Sequence, residues 1–391
     1  PVQWVPIPRD RDQAFVRFDG LMLVIARGTA PQLVKFGHGY PGMLGLTWNG
    51  RDLDRRLLVS LERATFDSVA SDLQGRLTDA VIEGAVANLP PSYLPLDSAR
   101  LASALKARRD GLLDAAGRYH RHLAGEVDIH ATDAAELVVA ERQEGGVTEL
   151  TIASRTAEGA FGEPYFRRRF DRRETGEMRI FLHGGDDRVT VRGEGGGGIR
   201  LRVIGGGGAD QVVDSSRTGP VKLYASGDGD SVLPGRGVAI SRKPYAPAKP
   251  AQRDWGNRWL SQIWFSSGPD IGAFFGTGLL YTRYGFRKDP FAKRYRLRAG
   301  YATGASTVRG EFFGEWRREN SGITATLLAR GSGIEVLRFY DYGNETSSAG
   351  PSEFFRVNQT DFLLAPGLSI PLAPRLRFSL GPRVRYSSTD F

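Results

Sequence analysis

Two short patterns carry residues whose types and spacing could do chemistry. In WVPIPRDRDQAF (4–15), Asp10 and Asp12 stand one residue apart, after Pro6 and Pro8. On an extended chain they point to the same side, and two such carboxylates can hold Mg²⁺ on a nucleotide phosphate. A salt bridge with Arg9 or Arg11 is the plainer use of the same residues. The second pattern is GGGGADQVV (205–213), which fits the nine-residue calcium repeat G-G-x-G-x-D-x-U-x, with Gly205, Gly206, Gly208, Asp210 and Val212 in the fixed places.

Related turns occur at HGGDDRV, with Asp187, and at SGDGDSV, with Asp228 and Asp230. Asp187, Asp210 and Asp230 are 23 and 20 residues apart, near one coil of a parallel β-roll or β-helix. They are the candidate Ca²⁺ ligands. One full match stands alone rather than in tandem, so the favoured reading is glycine–aspartate corners turning a solenoid. The five histidines add little: His120 and His122 face different sides of a helix, and His38, His130 and His183 stand apart.

The elements around these residues read in four blocks. Residues 1–135 are mostly helical after strands and loops up to about 50. LDRRLLVSLERATFDSVASDL reads as one helix capped by Asp54, Thr78-Asp79 open a short second helix, and Ser98 opens a third. Residues 136–240 alternate in short strands broken by glycine, and Gly145-Gly146 marks a hairpin. Residues 241–256 form a Pro-rich linker. From 257 onward the strands lengthen.

In RYRLRAGYATGA (294–305) arginine alternates with aromatic and aliphatic groups, and LRFSLGPRVRY (376–386) repeats the pattern. Six such segments (272–285, 294–304, 307–317, 322–330, 356–370, 375–387) run about 9–12 residues, enough to cross a bilayer as tilted strands. A wet charged face opposite an apolar one predicts an incomplete antiparallel outer-membrane barrel. A large soluble sheet is the alternative.

The composition agrees with a limited set of classes. Net charge is +9, yet basic residues are spread along the chain, of which seven are Lys; no concentrated patch suggests a nucleic-acid partner. Absence of Cys excludes cysteine metal sites and nucleophiles. No run approaches ~18 apolar residues, so no spanning helix is expected. At 391 residues, two or three domains are expected.

WVPIPRDRDQAF, LTWNGRDLDRRLL, LQGRLTDAVIEGAVANLP and LKARRDGLLDAAGRYHRHLAGEVDIHATD together resemble the distal part of a kinase-like domain of large bacterial surface proteins, similar to the spore-coat CotH kinases. In that family a β-rich segment and a barrel of the BamA/surface-antigen type follow, matched by YGFRKDPFAKRYRLRAGYATGA and FYDYGNET. The resemblance implies a multidomain α+β fragment: a helical kinase-like C-lobe remnant, a Gly-rich β-roll, and the first strands of a bacterial outer-membrane barrel in contact with lipid. It gives Asp10 and Asp12 the Mg²⁺ role, implies a nucleotide partner for the intact protein, and puts the phosphate-gripping lysine and catalytic loop upstream, so that this chain alone is expected to be inactive.

Overall fold

The computed structural model describes residues 14–390 except 196–197, 228, 234–236, 248–252, 341, 344, 347–348, 352–353 and 374. Asp10, Asp12 and Asp228 lie outside the described residues. The chain divides into two compact units, Pro1–Pro244 and Tyr245–Phe391.

The expected α+β class with a helical kinase-like C-lobe is corrected. The protein is mostly β, 41% strand against 21% helix, with both parallel and antiparallel sheets. The helices described are α1 (Leu21–Ala26), α2 (Met43–Leu46), α3 (Arg51–Leu57), α4 (Arg63–Arg76), α5 (Asp79–Ala87), α6 (Leu94–Asp110) and α7 (Leu112–Ala124). They pack on one another, α4 on α7 and α5 on α6, around small clusters such as Phe36, Val86, Leu101 and Ala104, and α3 and α7 also touch β1.

Tertiary bonds explain why residues 53–73 do not form one helix. Arg55 of α3 is drawn to Asp128 at 2.9 Å, and the Val59 carbonyl accepts from Arg168, so 58–62 leave the helical path. Asp54 caps nothing and accepts from the Tyr119 hydroxyl at 2.6 Å. Thr78 does cap α5, accepting from Val81 N at 3.3 Å. Ser98 lies inside α6, and Gly111 separates α6 from α7.

The rest of the first unit is a coil of short strands: β1 (Glu126–His130), β2 (Glu136–Arg142), β3 (Val147–Arg155), β4 (Phe161–Asp171), β5 (Glu177–Phe181), β6 (Arg188–Arg192), β7 (Arg200–Ile204), β8 (Gln211–Asp214), β9 (Val221–Tyr224), β10 (Ser231–Val232) and β11 (Ala239–Ser241). One parallel sheet runs β1-β5-β7-β9-β11 and the other β10-β8-β6-β2-β3-β4. Consecutive strands change sheets, so each coil lays one strand on each side. The β3–β4 hairpin is an antiparallel insertion between the first two coils.

Alternation turns one side of every strand inward. Ile129, Ile180, Val203 and Leu223 from the first sheet meet Val138, Val189 and Val212 from the second in one buried core.

The second unit is an antiparallel sheet of β12 (Asn257–Gly268), β13 (Gly272–Arg283), β14 (Lys293–Ala302), β15 (Thr307–Arg317), β16 (Thr324–Arg338), β17 (Arg356–Ala373), β18 (Leu376–Leu380) and β19 (Val384–Asp390). The sheet is open where an incomplete barrel was expected, and among the described residues no sheet closes on itself. The last two strands lie end to end along β17, pairing with Leu368–Ala373 and Asn358–Leu364 respectively, with a break at Gly381-Pro382-Arg383. The strand β12 was absent from the six segments read in the sequence because Trp259, Ile263 and Phe265 on one face oppose Leu260 and Trp264 on the other, which blurs the alternation.

Candidate functional site

The three aspartates singled out in the sequence come together. Each sits at the corner leading into a strand of the second sheet of the coil: Asp187 before β6, Asp210 before β8, Asp230 before β10. Successive coils stack about 4.8 Å apart, so the carboxylates form a column. Glu136 begins that column, because Leu137 pairs with Arg188 and so Glu136 stands level with Asp187. All four are 0–1% exposed.

The backbone explains how buried acids are tolerated there. Glu136 N donates to Asp187 Oδ1 at 2.8 Å, Asp187 N to Asp210 Oδ1 at 3.3 Å, and Asp210 N to Asp230 Oδ1 at 3.1 Å. Each acid therefore ties its own coil to the one before. The other oxygen closes the acid's own corner: Gly206 N donates to Asp210 Oδ2 at 3.2 Å and Ser226 N to Asp230 Oδ2 at 2.8 Å. Glu136 Oε1 likewise accepts from Thr132 N at 2.9 Å, and also from the Tyr165 hydroxyl at 2.8 Å. Asp187 Oδ2 and Glu136 Oε2, by contrast, are buried without a hydrogen-bond partner.

Glycine is required where corners stack. A Cβ on Gly206 would lie 1.4 Å from the His183 carbonyl oxygen, and Gly208, at φ +102°, sits against the Gly185 carbonyl.

Burial pushes the Asp187 carboxyl up to about 8, with the neighbouring Asp210 and Glu136 adding to the effect. Asp210 is also raised, by burial first and then by Asp230. The oxygens of the column face N–H groups, whereas Ca²⁺ takes six to eight oxygen ligands. Among the described residues no cluster of three or more His, Cys, Asp or Glu side chains is arranged to hold a metal.

Several residues escaped the sequence reading. Glu136 has no flanking glycine pair; its signal is an acid opening an alternating strand, one position later than the element boundary of the other corners. Arg179 is 1% exposed and bonds Glu177 at 2.7 Å and Asp128 at 3.4 Å, linking β5 to the β1 residue that holds Arg55. Arg168 of β4 is buried beside Phe170, and burial pushes it down to about 10.

In the second unit the register sorts side chains by face. One face carries Ile263 (73% exposed), Leu297 (61%) and Tyr386 (64%), together with Phe275 and Leu364. A row of aromatics crosses it near one end: Trp259 and Tyr281 with ring centroids 4.5 Å apart, Tyr281 and Tyr295 at 5.9 Å, and Tyr295 and Trp316 at 5.7 Å, with Trp316 Nε1 donating to the Tyr295 hydroxyl. Phe265, Phe275 and Tyr301 form a second row about 20 Å along the strands.

The opposite face carries paired charges. Glu311, 7% exposed, bonds Arg296 and Arg298, and Asp361, 0% exposed, bonds Arg330 at 2.7 Å and also Arg385. The sheet curls around this face. Arg356, at the start of β17, donates to the Asp270 carbonyl in the β12–β13 turn at 3.2 Å, although β13 and β17 would lie roughly 19 Å apart in a flat sheet.

No family model, curated protein or solved structure matches this chain.

Proposed function

We propose that residues 257–390 anchor the protein in a bacterial outer membrane, with the apolar face in lipid, and that the coiled first unit is a water-exposed module held at that surface. One observation carries this reading: one face of β12–β19 exposes large apolar side chains such as Ile263, Leu297, Phe362 and Tyr386, while on the other face the carboxylates Glu311 and Asp361 are buried in ion pairs with arginine. A soluble half-buried sheet places them the other way round.

Further features agree. Strands β12–β17 are 10–18 residues long, against the 9–11 that a tilted strand needs to span hydrocarbon. The Trp/Tyr row fits an interfacial aromatic girdle. Among the described residues no helix is long and apolar enough to cross a membrane. In lipid the edges of β12 and β18–β19 need partners. Because β18 and β19 share one lane beside β17, the first and last lanes of the sheet run in the same direction.

The acidic column has a structural part in this reading, stapling coil to coil. The test is fractionation of cells expressing the chain. Retention in membranes after alkaline wash and release by detergent are expected. Release into the soluble fraction without detergent would remove the anchor.

A further inference from the structure

We propose that the concave, charged face of the β12–β19 sheet is a binding site for phosphate oxyanions. The inference goes beyond the anchor reading, although it uses the same sheet. Register brings Arg298, Glu311, Arg330 and Arg385 into one transverse row, with Leu363 between the last two. Two carboxylates serve this region. Glu311 meets Arg298 at 2.9 Å, Arg296 at 3.1 Å and Arg309 at 3.9 Å, and Asp361 meets Arg330 and Arg385. The guanidiniums thus outnumber the carboxylates that hold them, and the face keeps a positive excess.

Donors are also left over. The Nε groups of Arg296, Arg309 and Arg330 are buried without a hydrogen-bond partner. Exposure runs the same way: the Glu311 and Asp361 side chains are 7% and 0% exposed, against 34% for Arg296, 24% for Arg298 and 52% for Arg385. An approaching solute therefore meets cationic forks, not the carboxylates beneath them. Trp264 holds two of the forks by their flat faces, with the Arg298 guanidinium 3.8 Å and that of Arg309 5.3 Å from its ring centroid. Planar, permanently charged forks match phosphate geometry better than isolated ammonium groups do. Clustered Arg side chains are a usual means of favouring anions and phosphate.

The test is calorimetric titration of inorganic pyrophosphate into the full chain in zwitterionic detergent at 0.1 M NaCl. Saturable binding is expected, at least tenfold weaker in the Arg298→Gln/Arg330→Gln double variant. Arg385→Gln, at an exposed position, serves as a second variant less able to disturb folding and is expected to weaken binding several-fold. A parallel arm offers micelles doped with phosphatidylglycerol. Tighter binding there assigns the phosphate to a lipid headgroup, and tighter binding of pyrophosphate assigns it to a free solute; both support the site. No binding of either probe, or affinity indifferent to all three substitutions, overturns it. Because the readout is taken in detergent, it succeeds or fails separately from membrane fractionation.

Discussion

Asp187 is where a single residue governs a measurable property of the first unit. Its carboxyl is buried, one oxygen lacks a donor, and it titrates near 8. A pKa raised above the unfolded value means the folded state holds the proton more tightly. The stabilisation is complete below about pH 4 and is lost as pH rises through about 8. Asp187→Asn keeps the acceptor for Glu136 N and removes the titration. Thermal unfolding followed by circular dichroism is expected to show a gain at pH 8.5, little change at pH 4, and a flatter profile between.

His120 tilts the acid side the other way. It is 3% exposed, and burial lowers its pKa, with Arg168 and Arg63 adding and Glu174 opposing. Stability on its account is present above about pH 6.5 and is lost as pH falls through the depressed value. His120→Gln is expected to flatten the unfolding profile below pH 6.

At the scale of elements, the corners of the coil are stapled from both sides, so losing a staple is costly. Asp210→Ala leaves Gly206 N and Asp187 N without their acceptors. A loss of about 3 kcal/mol is expected from denaturant unfolding. Gly208→Ala is expected to be at least as damaging, because it adds a clash with the Gly185 carbonyl to an unfavourable φ.

These corners were legible in the sequence because glycine and aspartate are forced there by geometry, and the coil length is the spacing of Asp187, Asp210 and Asp230. Other elements were not legible. The stretch 53–73 has helical periodicity throughout, but Arg55 and the Val59 carbonyl are claimed by Asp128 and Arg168, residues more than 70 positions away. A kinase-like lobe was expected from likeness of segments, which carries no information on whether the helices share a core. Arg179 was invisible for a related reason: a buried arginine depends on Glu177 and Asp128, which alternation alone cannot pair with it.

For the whole molecule, the governing feature is an open sheet with a charged face, on which arginines hold Glu311 and Asp361, and an exposed apolar face. The sequence alternation already contained both faces, since a period of two assigns every side chain once one is assigned. Curl, register and the lane shared by β18 and β19 needed coordinates. On the apolar face, Leu297→Arg is expected to cost about 2–4 kcal/mol of membrane insertion, read as reduced flotation with lipid vesicles.

The chain contains no Cys, so single cysteines can report on each face without background. The most direct measurement places a polarity-sensitive probe at position 297 or position 298 of the full chain in lipid vesicles and compares quenching by lipid-borne and water-soluble quenchers. The probe at 297 is expected to be quenched from the lipid and the probe at 298 from the water. Quenching of both by the aqueous agent alone, or the reverse assignment, would contradict it.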